Sequence, residues 1–147
     1  MDEHIYKRHN KSLLLYHIVL PLKYRKGVLT PSRGEVLRDI CEEISLRFEV
    51  VFLEIGYELD HVHFLVQSVP SFSVSDLVRS LKSITAREMF LRCPEVEKLL
   101  WGGHFWTSGF YVNTVGSYGS RDVIQRYVEG QGKKYVKVHD GQLSLFL

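Results

Sequence analysis

Cysteine and long hydrophobic runs are scarce in this chain. Its 147 residues include two cysteines, Cys41 and Cys93, and neither belongs to a CxxC pair, which argues against a disulfide framework. We expect both to be reduced, partly buried thiols of a cytoplasmic protein. No apolar run approaches the roughly 20 residues of a membrane helix, and the polar residues 1–10 predict no signal peptide. A GxxxxGK loop is also missing, so the sequence gives no indication of ATP use.

An excess of charge of one sign is also missing. The formal net charge is +2 and the isoelectric point is near 8.5, so a phosphate-binding surface would have to be a local patch. With 45% hydrophobic residues, 24% charged residues and no internal repeat, the composition predicts one globular domain over residues 1–147. We expect about residues 1–11 to be a flexible N-terminus and residues 133–147 to be a C-terminal tail.

Hydrophobic periodicity and turn residues divide the chain into strands and helices. The predicted elements are a strand over 12–20, a helix beginning at Ser32, strands over 49–58 and 61–67, a helix from Ser73 to about Phe90, a strand within 101–115 and a helix from about Ser120. Up to the fourth strand, this is the split β-α-β-β-α-β order of a ferredoxin-like α+β fold with an antiparallel sheet. Its first and third strands form the central pair, and a C-terminal helix is added.

Two details of these elements are specific enough to be tested. Ser32 and Glu35 have the spacing of a capping box, with Ser32 as the N-cap of the first helix. Strand alternation places four side chains of the second strand on one face: Val51, Leu53, Ile55 and Tyr57.

The third strand begins with the pattern His61-Val62-His63. Successive side chains of a strand point to opposite faces, so both imidazoles lie on one face while Val62 and Phe64 point into the core. Two imidazoles at this spacing can bind one divalent cation. On this pattern alone, two hydrogen-bonded histidines without a metal remain an alternative.

Tyr127 and Gln131 are four residues apart in the predicted last helix, so they project from the same face. A cation held by His61, His63 and Gln131 would have only neutral ligands and would keep its full charge to polarise a phosphodiester. The Tyr127 hydroxyl can then be the nucleophile. Attack by tyrosine conserves the broken bond as a phosphotyrosine, which favours strand transfer over degradation. Taken singly, a tyrosine such as Tyr127 is more often a packing residue than a catalytic one, and Gln131 is a solvated residue near a helix end.

The chain resembles the single-tyrosine HUH transposases of bacterial insertion sequences, because His61-Val62-His63 has the form histidine, bulky hydrophobic, histidine. The resemblance covers about residues 12–147. It includes the segments YHIV at 16–19, KYR at 23–25, DHVHFL at 60–65, LWGGHFW at 100–106, TVG at 114–116 and QLSLF at 142–146. Tyr127 and Gln131 fall where that family has its nucleophile and its third metal ligand.

The resemblance implies a specific activity. Such enzymes act on single-stranded DNA, recognise imperfect hairpins near the ends of the element and cut through a 5′-phosphotyrosine, with Mg²⁺ or Mn²⁺ as the usual ion. They work as homodimers in which the tyrosine helix can complete the partner's metal site. Whether Tyr127 acts in its own subunit or in the partner is left open by the sequence.

Two basic clusters are candidate DNA contacts, although either can be solvated surface. They are Lys23, Arg25 and Lys26 after the first strand and Arg79, Lys82 and Arg87 on the second helix. Four aromatic residues can stack on bases or pack in the core: Phe105, Trp106, Phe110 and Tyr111.

Two further histidines lie near these features. His17 belongs to the strand next to the histidine pair, so it can approach that pair or be a structural histidine. His104 is assigned no role.

Three functions fit these residues. The first is a strand transferase that uses Tyr127, the second is a module that binds hairpins without cutting, and the third is a metal-dependent phosphoesterase that uses water. Replacing Tyr127 with phenylalanine separates them, because only the transferase needs that hydroxyl.

Overall fold

A computed structural model describes residues 4–101 and 103–115. The strands are β1 (Ile5–Tyr6), β2 (Lys11–Ser12), β3 (Leu14–Pro21), β4 (Val51–Glu58), β5 (His61–Ser68) and β6 (Tyr111–Thr114). The helices are α1 (Pro31–Arg47), α2 (Val74–Arg92) and α3 (Pro94–Leu99), and a short 3-10 turn, Lys23–Arg25, follows β3. The predicted helix from about Ser120 and the tail at 133–147 lie outside the described residues.

The four longer strands form one antiparallel sheet in the order β4-β5-β3-β6. β3 and β5 are its central pair, with Pro21 opposite His61 and Val19 opposite His63. β4 and β5 are joined as a hairpin, and β6 pairs with the other side of β3. This is the predicted ferredoxin-like strand order, so the predicted α+β fold is confirmed. β1 and β2 add a small hairpin in the segment that we predicted to be flexible.

The first helix begins differently from the prediction. Thr30 is the N-cap and Pro31 is the first helical residue, a position that proline favours because it lacks an N–H and has a suitable φ. Ser32 therefore lies inside the helix, with its Oγ 3.3 Å from the Thr30 hydroxyl. Glu35 accepts a hydrogen bond from the Tyr57 hydroxyl at 3.0 Å. The predicted capping box is wrong, since it overlooked the preference for Pro31.

The second helix begins as predicted. Ser73 is its N-cap and accepts a hydrogen bond from the Asp76 N–H at 3.1 Å. The helix continues past Phe90 to Arg92, and Pro94 then begins α3, an element that the sequence did not predict. Proline is compatible with this start for the same reason as at Pro31.

A β-bulge in β4 changes which side chains share a face. The pairing with β5 shifts between Phe52 and Glu54. Phe52 and Ile55 pack against the main core, whereas Leu53 packs with a second cluster that includes Leu65 on the opposite face. An extra residue in one strand inverts the alternation beyond it. Ile55 and Tyr57 share the face towards the main core as predicted, but Leu53 does not. The predicted common face of Val51, Leu53, Ile55 and Tyr57 is therefore wrong for the four as a set.

Helices α1 and α2 cover one face of the sheet, where β5 contributes Val62, Phe64 and Val66 to the core. The backbone of α1 comes close to β4 at Gly34, where any Cβ would overlap the ring of Tyr57. Glycine is required there because it has no side chain to meet that ring. The two helices and β5 therefore enclose the main core on this face of the sheet.

Both cysteines are buried in the main core, Cys41 on α1 and Cys93 between α2 and α3. Burial raises the pKa of each thiol. The prediction of buried, unpaired thiols is confirmed. In the part of the chain that the structure describes, we find no helix that is long and apolar enough to cross a membrane.

Candidate functional site

His61 and His63 lie together on the face of β5 that points away from the main core. Their ring centroids are 5.2 Å apart and their planes are inclined by 71°. Both residues are buried, with exposed fractions of 2% for His61 and 4% for His63. Val62 and Phe64 point to the opposite face and are fully buried. The predicted orientation of the pair is therefore what the structure shows.

Asp60, the turn residue before β5, orients the ring of His61. One carboxylate oxygen lies 2.8 Å from Nδ1 of His61, and the other accepts hydrogen bonds from Nε and Nη2 of Arg25 at 3.0 and 2.8 Å. Burial raises the pKa of the Asp60 carboxyl, but the hydrogen bonds from His61 and Arg25 outweigh burial and lower that pKa overall. An ionised carboxylate at Nδ1 fixes the proton there, which leaves Nε2 of His61 as the nitrogen that can bind a metal ion.

His63 is held by another histidine. Nε2 of His17 lies 2.9 Å from Nδ1 of His63, and the two rings are stacked with centroids 5.2 Å apart. Tyr111 of β6 contacts the His17 ring edge-on at 6.2 Å. An imidazole that binds a metal through Nε2 carries its proton on Nδ1 and can donate it to such a partner. The sequence left two roles open for His17, an approach to the histidine pair and a structural role. The structure shows both, because His17 is buried and also contacts His63.

Glu58 brings a carboxylate to the same place. Its Oε2 lies 3.7 Å from Nε2 of His61, and one donor atom from each of Glu58, Asp60 and His61 falls within 4.8 Å of the others. Two ligand atoms at that separation can be bridged by one ion with bonds of about 2.1 Å. Imidazole nitrogen and carboxylate oxygen together suit Mn²⁺, Zn²⁺ or Mg²⁺. The donor set thus fits a divalent cation.

Sequence reasoning missed Asp60 and Glu58 as members of this site. The available signal was the turn itself, because a two-residue turn before β5 places Glu58 opposite His61 in the hairpin. The predicted nucleophile Tyr127 and the predicted ligand Gln131 lie outside the described residues. Their positions relative to His61 and His63 therefore stay predictions.

A groove of about 710 Å³ runs along α2 and collects four of the predicted basic residues. These are Lys23, Arg79, Lys82 and Arg87. The side chains of Arg79 and Arg87 are 74% and 58% exposed, so their charges face solvent. A nearly neutral chain therefore has the local basic patch that its overall charge does not reveal.

Lys82 also has a structural task in this groove. Its ammonium donates hydrogen bonds to the carbonyl oxygens of Thr107 and Gly109 at 2.8 and 2.9 Å. Burial lowers the pKa of Lys82. The same side chain thus contributes charge to the groove and fixes the loop that forms its opposite wall.

The other two basic candidates lie apart from the residues that line the groove. Arg25 contacts the Asp60 carboxylate, as described above, and so belongs to the surroundings of His61. The Nζ atom of Lys26 lies 4.5 Å from the ring centroid of Trp101. The two predicted clusters are therefore divided among three locations.

Two of the four aromatic residues that we considered for base stacking are instead buried in the core. Phe105 and Trp106 are buried, and the indole N–H of Trp106 donates to the Thr85 hydroxyl at 2.9 Å. Phe110 is 37% exposed and lies near Lys82. His104 is exposed and lines the basic groove.

The fold and the site define a small α+β domain with a histidine centre beside a basic groove. The family described as "Transposase IS200 like" matches residues 10–131, and the chain belongs to that family. The resemblance to transposases of bacterial insertion sequences is confirmed.

Relatives of this chain include two transposases of insertion sequences. The chain is 37% identical over 123 residues to the ISDra2 transposase TnpA of Deinococcus radiodurans, which covers 82% of this chain and 86% of that protein. It is 32% identical over 120 residues to the transposase for insertion sequence element IS200 of Salmonella typhimurium, with coverage of 79% and 75%.

Two solved structures share the fold. A transposase candidate from Deinococcus radiodurans R1 has a TM-score of 0.70 and 31% identity, and the match covers 86% of this chain and 97% of that one. A REP-associated tyrosine transposase bound to a REP hairpin has a TM-score of 0.54 and 13% identity, over 86% of this chain and 68% of that one.

Proposed function

We propose that this protein cuts and rejoins single-stranded DNA at the ends of an insertion sequence through a 5′-phosphotyrosine on Tyr127. The observation that carries the proposal is the pair His61 and His63, whose rings share one sheet face and are each oriented by a partner, Asp60 or His17. Because the partner contacts Nδ1 in each ring, Nε2 is the nitrogen that each ring can offer to a metal ion. Membership of a transposase family supplies the reaction class.

A divalent cation, Mg²⁺ or Mn²⁺, would be held by His61 and His63 with Gln131, and Glu58 is placed to contribute a carboxylate. When bound, it would neutralise charge on the non-bridging oxygens of the scissile phosphate. Asp60 and His17 keep the two rings in the tautomer that presents Nε2. These contacts reduce the reorganisation needed for binding, because the ring orientations are already set.

Tyr127 performs the covalent step in this proposal. Its hydroxyl gives up its proton as the oxygen attacks phosphorus, the bond from phosphorus to the leaving 3′-oxygen breaks, and the 3′-oxygen takes up one proton as a 3′-hydroxyl, so no net proton is gained or lost. The phosphotyrosine retains the energy of the broken linkage, so a DNA 3′-hydroxyl can later displace the tyrosine and reseal the strand. The reaction needs no external energy source.

The basic groove supports single-stranded DNA as the substrate. Its cations Lys23, Arg79 and Arg87 can neutralise backbone phosphates, and a structural neighbour is a tyrosine transposase bound to a REP hairpin. We propose that hairpins near the element ends are recognised by a homodimer in the cytoplasm. The tyrosine helix of one subunit can then act in either subunit's site.

Covalent capture on a denaturing gel tests the proposal. The protein is incubated with Mn²⁺ or Mg²⁺ and a labelled single strand containing an end hairpin of its own element. A metal-dependent protein–DNA band that resists denaturation and disappears in Tyr127→Phe is expected. Tyr6→Phe is a matched control, because Tyr6 is an exposed tyrosine on the small N-terminal hairpin.

Other results separate the remaining functions. Binding of the hairpin without any covalent band would favour a binding module, and cleavage that survives in Tyr127→Phe would favour a phosphoesterase that uses water. A covalent band that persists in Tyr127→Phe would reject Tyr127 as the nucleophile.

A further inference from the structure

Two exposed aromatic side chains lie next to each other at the end of β3. Tyr24 and Trp101 are 59% and 74% exposed, and their ring centroids are 5.7 Å apart with planes inclined by 51°. Large aromatic side chains usually bury most of their surface. A pair that leaves this much ring area in solvent therefore offers a surface on which another flat group can stack.

The backbone at both positions is unusual. Tyr24 has a φ of 59° and Trp101 a φ of 56°, in the left-handed region that bulky residues rarely adopt. Strained conformations of this kind persist where the surrounding structure enforces them, and they are concentrated at functional sites. Here two such residues from distant parts of the chain meet at one exposed contact, so both strained positions present their rings at the same place.

Two ammonium groups accompany the rings. Nζ of Lys26 lies 4.5 Å from the ring centroid of Trp101, and Nζ of Lys23 lies 5.4 Å from that of Tyr24. Lys23 also lines the basic groove, so the aromatic pair continues that surface. Flat rings next to positive charges match the two parts of a nucleotide, since a base stacks and its phosphate is attracted.

The aromatic pair is tied to the histidine site by the turn Lys23–Arg25. The Leu22 N–H donates to the Asp60 carbonyl at 2.9 Å, and Arg25 from the same turn contacts the Asp60 carboxylate. Asp60 in turn orients His61. A strand that leaves the groove at Lys23 therefore passes the aromatic pair close to the proposed cleavage centre.

We propose that Tyr24 and Trp101 form a stacking site for an unpaired base of the single-stranded DNA substrate, with Lys23 and Lys26 contacting its phosphates. The inference rests on the proposed function, because it places this base beside the phosphodiester that is cut. The site recognises a flat base and is tolerant of its identity, since neither ring supplies a specific pairing edge.

The test compares two probes that differ only in their bases. One is a fluorescein-labelled oligothymidylate of about 20 nucleotides, and the other is an abasic strand of the same length and charge. Binding of the full chain to each is measured by fluorescence anisotropy at fixed salt. Trp101→Ala and Tyr24→Ala are each expected to weaken binding of the oligothymidylate about 5- to 150-fold, the range measured for loss of one stacking ring.

The abasic strand separates stacking from other effects. Trp101→Ala should leave its affinity unchanged, whereas Lys26→Gln should weaken both probes by the same factor. Trp101→Phe should restore part of the affinity for the oligothymidylate, because phenylalanine keeps a stacking face. The matched control is Tyr6→Ala, since Tyr6 is also 59% exposed and has Lys11 5.1 Å from its ring centroid.

The outcomes distinguish this inference from the proposed function. Equal losses for both probes, or no loss in Trp101→Ala, would overturn the stacking site, even where covalent capture by Tyr127 is intact. A loss confined to the base-containing probe, in a protein that gives no covalent band with its element end, would retain the stacking site and reject the transferase. A base-dependent loss together with a covalent band supports both.

Discussion

His61 and His63 lie on the same face of β5, but their rings are held by different kinds of partner. The ring of His61 is oriented by Asp60 and, behind it, Arg25, whose side chains are 29% and 40% exposed. The ring of His63 is oriented by His17, an imidazole that is 3% exposed. One support is an ion pair that is partly in water, and the other is a buried imidazole.

The difference follows from where each histidine lies along the strand. His61 is the first residue of β5 and adjoins a solvent-exposed turn, where an ion pair costs little desolvation. His63 lies opposite Val19 in the middle of the sheet, where a buried carboxylate would be costly unless it were fully paired. A second imidazole, that of His17, provides the hydrogen bond there in place of a buried carboxylate. The two supports should therefore respond differently to mutation and to salt.

Removing either ring should have the largest effect. His61→Ala and His63→Ala are each expected to lower Mn²⁺ affinity and covalent capture by more than about 100-fold, since loss of a ligand exceeds the loss caused by its supporting residues. Isothermal titration with Mn²⁺ and the capture gel measure the two quantities. His9→Ala is the control, because His9 is an exposed histidine in the small N-terminal hairpin. An unchanged Mn²⁺ affinity in both variants would remove the proposed metal site.

Replacing the buried support should have the next largest effect. His17→Ala is expected to weaken Mn²⁺ binding about 10- to 100-fold, because the ring of His63 loses the partner that fixes its tautomer. Excess Mn²⁺ should restore covalent capture, which a merely unfolded variant would not show. His17→Gln, whose amide oxygen can accept the same hydrogen bond, should recover part of the affinity. An unchanged affinity in His17→Ala would assign His17 to packing alone.

The exposed support should matter less and should depend on salt. Arg25→Gln is expected to weaken Mn²⁺ binding by up to about fivefold, the scale of an exposed ion pair. The difference from the unmodified protein should shrink as ionic strength rises, since exposed charges are screened. The effect of His17→Ala should persist over the same range. Mn²⁺ titrations at low and high salt give the comparison, and an equal salt response of the two variants would contradict it.

The smallest effect on the metal should come from the groove. Arg79→Gln is expected to leave Mn²⁺ affinity unchanged. It should reduce by about one the magnitude of the negative slope of the logarithm of the DNA binding constant against the logarithm of salt concentration. If the main partner of Arg25 is Asp60, Arg25→Gln should instead weaken Mn²⁺ binding and leave the salt dependence of DNA binding unchanged. The pair of variants thus separates cations that bind DNA from a cation that supports a metal ligand.

The sequence predicted the central part of this architecture because that part depends on strong periodic signals. Alternation along β5 placed His61 and His63 on one face, and the split order of elements placed β3 beside β5, which brought His17 within reach. The predicted roles of Tyr127 and Gln131 depend on a helix outside the described residues. They stay predictions.

Predictions from the sequence were wrong or missing where the local structure depended on a competing residue preference, a backbone irregularity or a tertiary contact. Pro31 displaced Ser32 from the start of α1, and the bulge in β4 moved Leu53 to the other face. The exposed pairing of Tyr24 with Trp101 joins residues far apart in the chain. No periodic pattern encodes such a contact.

The burial of both native thiols makes this protein a convenient host for site-specific labelling. The reactive species of cysteine is the thiolate, and burial disfavours it at Cys41 and Cys93. A maleimide fluorophore should therefore attach to a single cysteine introduced at an exposed position such as Leu46 of α1, which is 87% exposed, without prior removal of the natural ones. Energy transfer from such a probe to labelled DNA could then follow assembly of the strand on the protein in real time.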